Sequence, residues 1–284
     1  MALHQGSTDE FDQNWLNRPE SFYNHWTSSW PRNQIQLAFR SHWRLFREFM
    51  QNDGYETCLE VGCGRGTISS YFADSGFKCT LLDSSAGVLE TAKGVFANNG
   101  HDAEFVHADA LEMPFAAGAF DVVVSIGLLE HFEEISKAIN EQYRVLKKGG
   151  LFFGYIVPER PENIQRHFRW FNRFLAFVAR LSPRSSATQS KTEIYRSDYG
   201  SARYLSTLDE LDVKDVEVMG VYPLPMISHS PDFPFSLLPA PFEWILTRTF
   251  ELVLFARRLI LRRNPWICRE ERGQAFLLVF RKND

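Results

Sequence analysis

Five short runs rich in β-formers, "TCLEV" (57–61), "FKCTLLD" (77–83), "AEFVHAD" (103–109), "FDVVVSI" (120–126) and "GLFFGYIV" (150–157), alternate with helical stretches near 65–75, 85–98 and 131–147. This alternation constrains the fold more than anything else in the chain. Parallel strands need long crossovers, so strand and helix in turn predict βαβ units and a mostly parallel sheet with helices on both faces. A run such as "VVVSI" lacks polar alternation, as a strand buried on both faces requires. Strand character returns at 212–224 and 274–283, which brings the expected sheet to seven strands.

Around that core the pattern is helical and aromatic. Residues 11–50 read as two helical pieces; in the second, Ile35, Phe39, Trp43 (or His42) and Phe46 fall at helical spacing and Pro31 suits the helix start. Residues 162–181 predict an amphipathic helix with Ile164, Phe168, Phe171, Leu175 and Val178 on one face and Arg166, Arg169, Arg173 and Arg180 around the other. The expected organisation is an N-terminal helical cap (1–50), a core (51–157), a helical insertion or lid (158–210), and the last two strands (211–284) with an aromatic-rich insertion at 222–266.

A net charge of −4 over 284 residues argues against whole-surface attraction to nucleic acid. Cys58, Cys63, Cys79 and Cys268 show no C-x-x-C spacing and no nearby His pair, so no metal site is expected and a reduced, cytoplasmic chain is. The opening "MALHQGSTDEFDQNW" does not read as a signal peptide. The run "FEWILTRTFELVLFARRLIL" (242–261) is interrupted by Glu243, Arg248, Glu251, Arg257 and Arg258, too often to cross a membrane. With Arg262 and Arg263 after it, the 242–263 stretch reads either as a helix at a membrane surface or as a core-packed helix with a solvated basic end. The second reading is preferred.

The turn out of the first strand, "EVGCGRG", carries Gly62, Gly64 and Gly66. Glycines in a strand-to-helix turn admit a ligand close to the backbone, with helix N–H groups facing its negative end. A dinucleotide fingerprint would put its third small residue at position 67, where Thr67 stands. Glu60 beside the loop would repel a pyrophosphate and suits a ligand with an ammonium group. Asp83, 21 positions after Gly62, falls where an acidic residue binds ribose hydroxyls. A third acid, Asp109, closes the third run.

Taken in order, "EVGCGRG", "LLDSS", "HADALEMPF", "FDVVVSIGLLEHF" and "YRVLKKGGLFFGYIVP" resemble the motifs of class I S-adenosylmethionine-dependent methyltransferases of the small-molecule type. The resemblance covers 57 to about 157 and extends more weakly over 213–281. It implies a Rossmann-like α/β sheet and S-adenosyl-L-methionine (SAM) as cofactor, leaving S-adenosyl-L-homocysteine. It also implies roles: Glu60 on the methionine ammonium through water, Gly62 and Gly64 along the methionyl part, Asp83 on the ribose with Ser84 beside it. Asp109 would accept from the adenine amino group, Ala110 would offer its N–H, and the backbone of Ile126 would face the cofactor. Ordinary turn chemistry accounts for Ser84 and Ala110 equally well.

Methyl transfer from a sulfonium asks mainly for alignment and exclusion of water. His131 in "GLLEHF" is the candidate base, against a role in ordering its own loop; His229 and His25 are weaker. Tyr23 and Trp26 would either cover the cofactor or pack. Selectivity is expected from 11–50, 158–210 and 222–266, whose Phe and Trp favour an apolar or aromatic small-molecule acceptor methylated on O or N. "SIGLL" replaces the N-P-P-Y type of tetrapeptide, so no nucleic-acid partner is expected. A SAM-binding partner subunit without turnover, a lipid-like acceptor at a membrane surface and a nicotinamide oxidoreductase are the competing readings. Thr67 and Glu60 speak against the last. The oligomeric state is left open.

Overall fold

The computed structural model describes residues 30–50, 54–159, 163–180, 195–227 and 238–284. Its elements in chain order are α1 (Gln34–Phe49), β1 (Thr57–Val61), α2 (Thr67–Asp74), β2 (Lys78–Asp83), α3 (Ala86–Asn98), β3 (Ala103–His107), β4 (Phe120–Ile126), α4 (Ile135–Val145) and β5 (Leu146–Ile156). There follow α5 (Arg169–Arg180), α6 (Ser201–Leu205), β6 (Val213–Val221), α7 (Ala240–Leu261), β7 (Ile267–Cys268) and β8 (Ala275–Lys282).

The sheet has eight strands in the order β3-β2-β1-β4-β5-β8-β6-β7. Strands β1 to β5 run parallel, and β8 enters antiparallel between β5 and β6. The seven expected strands are all present. The eighth is the two-residue β7 on the edge, pairing Gly220 with Cys268 and Val221 with Ile267; a run that short leaves no periodicity to read. β3 ends at His107, so Asp109 lies in the turn beyond it, not in the strand.

Each face of the sheet buries its own core. On one, Phe46 of α1, Tyr71 of α2, Phe96 of α3 and Phe250 of α7 meet Leu81, Val124 and Phe153 from the strands. On the other, Ile139 of α4 and Tyr204 of α6 meet Val123, Phe152 and Phe276. Alternate residues of one strand thus serve opposite faces, which is why β4 and β5 carry no polar alternation.

α1 starts later than Pro31 suggests. Asn33 is its N-cap, accepting from the Gln36 N–H at 2.8 Å. The predicted 162–181 helix divides within its described part: Ile164–His167 form one tight 3₁₀ turn and α5 begins at Arg169. Phe168, Phe171 and Leu175 pack on the core as the spacing predicts. The other face is not simply basic, because Trp170, Phe174 and Phe177 are exposed on it.

α7 departs furthest from expectation. It packs on the core through a narrow stripe, Glu243, Thr247, Phe250 and Leu254, while Phe242, Ile245, Leu252, Leu259 and Ile260 face outward. Of the preferred reading, a core-packed helix with a solvated basic end, the packed stripe is narrow, and Arg258, Arg262 and Arg263 are exposed. Part of the charge of α7 is turned toward the protein: Glu243 accepts from the buried Gln34 N–H at 3.0 Å, Arg257 donates to the Pro265 and Ile267 carbonyls at 3.1 Å each, and Glu251 pairs with Arg248 at 2.5 Å and with Arg40 of α1 at 3.7 Å. Arg248 also donates to the Pro31 carbonyl.

Candidate functional site

Between β1 and β4 the strand order reverses direction, so the chain leaving their C-terminal ends diverges and opens a crevice there. β1 delivers Glu60 and the glycine turn to that edge, β2 delivers Asp83, β3 leads into Asp109, and β4 ends at Ile126. Six of the residues named from the sequence come together by topology alone.

The glycine turn is fixed by its own hydrogen bonds. The N–H groups of Gly62 and Cys63 both donate to the Leu82 carbonyl, at 2.9 and 3.0 Å, and Gly66 N–H closes the turn on the Cys63 carbonyl at 2.8 Å. Gly66 has φ +66° and is the N-cap of α2; a Cβ there would lie 2.5 Å from Leu81 Cδ2 and 2.9 Å from Phe96 Cε2. The third glycine therefore serves close packing of α2 on β2 and α3. Gly62, at φ +68°, faces the Leu128 side chain, where a Cβ would stand 2.8 Å from Cδ1. Leu128 belongs to the loop after β4, so that loop lies directly over the glycine turn. Cys63 is buried, its Sγ 3.6 Å from the Gly64 carbonyl, and burial pushes its thiol well up, so it acts as a small apolar residue.

Glu60 is buried at 3% exposure, and its Oε2 accepts from the Ser69 N–H at 3.1 Å and the Ser69 hydroxyl at 2.5 Å. Ser69 lies in the first turn of α2, whose N–H groups have no partner within the helix, so Glu60 caps α2 across the glycine turn. Burial first, and the Asp83 charge as a smaller contribution, raise its pKa to about 8 despite the Ser69 bonds. A ligand ammonium would reverse that shift, so the site fits the cationic end of SAM.

Asp83 is half-buried with both oxygens engaged: Oδ2 accepts from the Gly64 N–H at 3.0 Å and Oδ1 from the Ser85 N–H at 3.0 Å. A carboxylate is the acceptor that a pair of ribose hydroxyls requires. Ser84 is exposed, its carbonyl 2.9 Å from His107 Nε2, while the α3 N-cap is Ser85, whose Oγ accepts from Val88 N–H at 3.1 Å. Asp109 is exposed and makes an Asx turn to the Leu111 N–H at 2.9 Å; Ala110 is buried among apolar residues. Ile126 is half-buried and pairs with Tyr155.

His131 lies in a 3₁₀ turn, Leu129–His131, and is buried. Its Nδ1 is 2.6 Å from the Tyr195 carbonyl, which only accepts, so Nδ1 carries the proton. Burial lowers the ring pKa to about 4, and the ring is neutral at pH 7. The imidazole is a fastener between the β4 loop and the segment returning at Tyr195.

Glu130, not singled out from the sequence, completes that fastening. Its carbonyl accepts from Ser197 N–H at 2.8 Å and its Oε1 from Val157 N–H at 3.2 Å. Its Oε2 is buried and makes no hydrogen bond among the described residues. Burial raises the Glu130 pKa to about 7, and the Arg196 charge opposes the rise. Only its adjacency to His131 in "LLEHF" could have drawn attention to it.

Tyr23, Trp26, His25 and His229 lie outside the described residues. No group of His, Cys, Asp or Glu among the described residues could hold a metal. An open hollow of about 460 Å³ lined by Thr57, Lys78, Asp102 and Glu104 sits at the opposite, N-terminal edge of the strands, away from every residue of the crevice.

Residues 59–154 match the methyltransferase domain family. Sterol 4-C-methyltransferase strm-1 of Caenorhabditis elegans is 37% identical over 100 residues, 34% of this chain and 30% of that protein. Demethylmenaquinone methyltransferase of Clavibacter sepedonicus is 41% identical over 96 residues, 34% of this chain and 38% of the relative. The matched stretch thus spans about a third of the length of these curated relatives. A SAM-dependent methyltransferase of Archaeoglobus fulgidus shares the fold, with a TM-score of 0.50 and 15% identity over 89% of this chain and 95% of that one.

Proposed function

We propose that the chain, whose residues 59–154 match the methyltransferase domain family, is a SAM-dependent methyltransferase that methylates an apolar small or medium-sized organic acceptor, on oxygen or nitrogen, by in-line displacement. The observation carrying this reading is the convergence of Glu60, the glycine turn, Asp83 and Asp109 on the crevice between β1 and β4.

When bound, SAM supplies an electrophilic methyl on a cationic sulfonium. The chain supplies position and dryness. Glu60, held by Ser69, neutralises the ammonium; Asp83 takes the ribose hydroxyls; Asp109 and the Ala110 N–H take the adenine edge. Ile126 and Leu128 present an apolar wall at the end of β4, which excludes water from the sulfonium. An amine needs little beyond desolvation, whereas a hydroxyl gives up a proton as it reacts. Glu130 Oε2 is the proton acceptor we favour over His131, whose Nδ1 is committed as a donor and whose ring is a poor base.

Support for an apolar acceptor comes from the buried aromatic cluster packed behind the end of β5, where Tyr155 pairs with Ile126. His42 of α1 lies on Tyr155 at the end of β5 with ring centroids 4.3 Å apart, and Trp266 donates to His42 Nδ1 at 3.0 Å while stacking on Tyr222. Two relatives named above act, by their names, on a sterol and on demethylmenaquinone, both largely apolar.

Calorimetric titration with SAM, S-adenosylhomocysteine and NAD tests the cofactor, and release of S-adenosylhomocysteine over a panel of phenols, amines and prenylated quinols tests turnover. Micromolar SAM binding with acceptor-dependent release is expected. NAD binding without SAM binding would overturn the reading.

A further inference from the structure

We propose that α7 and α5 dock this protein on a lipid bilayer bearing anionic headgroups. The proposal rests on surface residues alone and uses nothing from the cofactor crevice.

α7 is inside out for a water-exposed helix. A solvated surface helix turns its apolar stripe inward and its charges outward; α7 turns Glu243 and Thr247 inward and leaves Leu252 at 69% and Ile260 at 78% exposure. Phe242, Ile245, Phe255 and Leu259 are exposed as well. Apolar side chains clustered at this density over about six helical turns mark an interaction surface, whereas single exposed ones do not. No helix among the described residues is long and apolar enough to cross a membrane, which leaves the interfacial mode.

α5 repeats the feature independently. Trp170, Phe174 and Phe177, spaced i, i+4, i+7, are exposed along one stripe, with Arg169 and Arg173 exposed beside them. Both helices flank one strap, residues 224–227. Asn172 and Gln165 donate to the Met226 carbonyl at 2.8 and 2.9 Å, and Gln34, bound to Glu243 of α7, donates to the Pro225 carbonyl and accepts from Ile227 N–H.

Charge selects the occupant. The exposed ionisable side chains of both helices are arginines: Arg169 and Arg173 on α5, Arg258 on α7 and Arg262 and Arg263 just after it. The acids of α7, Glu243 and Glu251, are turned to the protein, and α5 contains none. Apolar and aromatic side chains on helices whose exposed charges, among the described residues, are arginines complement an acyl layer under anionic headgroups. Trp30 and Trp244 flank Arg248, at 4.8 and 5.7 Å from the guanidinium carbon, and both are exposed where an amphipathic ring favours the interface.

The test is co-sedimentation of the full chain with vesicles of phosphatidylcholine and phosphatidylglycerol (7:3) against phosphatidylcholine alone, with light scattering of the protein without lipid. Expected is partition onto the anionic vesicles that weakens in high salt and falls at least tenfold in Leu252→Glu/Ile260→Glu. Both positions are exposed, so the melting temperature and SAM affinity of that variant should match the parent. On the unmodified protein, tryptophan fluorescence should be quenched by lipids brominated on their acyl chains. Absence of binding to anionic vesicles, equal binding by the double variant, or an oligomer in lipid-free solution that Leu252→Glu disperses would overturn the proposal; the last would make a second copy the occupant.

Discussion

The β1–β5 core and helix α7 obey opposite rules. In the core β1, β2, β4 and β5 bury apolar residues on both faces, and the buried Glu60 is tied by hydrogen bonds to Ser69. In α7 the buried stripe includes a carboxylate and a hydroxyl, and the outward face is apolar. Folding energetics account for the first region. The second gains little from the apolar side chains it carries, because they remain in water, so their value must be realised in contact with something else.

Gly66→Val should have the largest effect. The added side chain meets Leu81 and Phe96 inside 3 Å at a backbone angle that valine resists, costing about 3 kcal/mol or more and in the limit preventing folding. Denaturant unfolding measures it; a cost below about 1 kcal/mol would contradict the close packing of α2 on β2. Asp83→Ala addresses binding instead of packing. Loss of a charged acceptor should weaken SAM about 10- to 100-fold by calorimetry. The melting temperature of the ligand-free protein should fall as well, since the buried Gly64 and Ser85 N–H groups both lose their acceptor.

Glu60 links stability to pH. Its folded pKa of about 8 lies above the unfolded value, so the folded chain holds the proton more tightly. That stability is fully present below about pH 4.5 and is lost as pH rises through 8. Glu60→Gln, which mimics the protonated form, should melt like the parent at pH 4 and be more stable than it at pH 9, by on the order of 4 kcal/mol without ligand. His131 works in the other direction. Its folded pKa of about 4 lies below the unfolded value, so its contribution is present above about pH 6.5 and is lost as pH falls toward 4. His131→Ala leaves the half-buried Tyr195 carbonyl without its donor and should cost about 1 kcal/mol at pH 7, with turnover reduced far less than by Glu130→Gln on a hydroxyl acceptor. Equal loss of turnover in the two variants would return His131 to the role of base.

What was legible in the sequence follows the range of the forces involved. Strand limits at 57–61 and 120–126 are recovered to the residue, because burial on both faces leaves an uninterrupted apolar run bounded by polar turns. Glu60, Asp83 and Asp109 were readable as a set, since a parallel sheet sends every strand's C-terminal end to the same edge. Glu130 was not, because its importance comes from Val157 and Ser197, which are 27 and 67 positions away, and no local pattern reports such a contact. The orientation of α7 was hidden for a related reason. Its apolar residues surround the helix, and only the partners of Glu243, Arg248 and Arg257, all supplied by other segments, decide which face turns inward.

The smallest expected effect sharpens the comparison most. Leu252 is 69% exposed, so replacing it by Gln removes little packing and adds a polar group already in water. Its stability change in lipid-free solution should stay within about 0.5 kcal/mol, as for an ordinary surface site. A leucine of the core behaves otherwise: Leu81, fully buried between α2 and α3, should cost about 2–5 kcal/mol on truncation to Ala. The same residue type thus separates the two regions by a factor of several in one measurement. If Leu252→Gln destabilised the chain as Leu81→Ala does, the outward face of α7 would be covered by protein, and the contrast between core and helix would collapse.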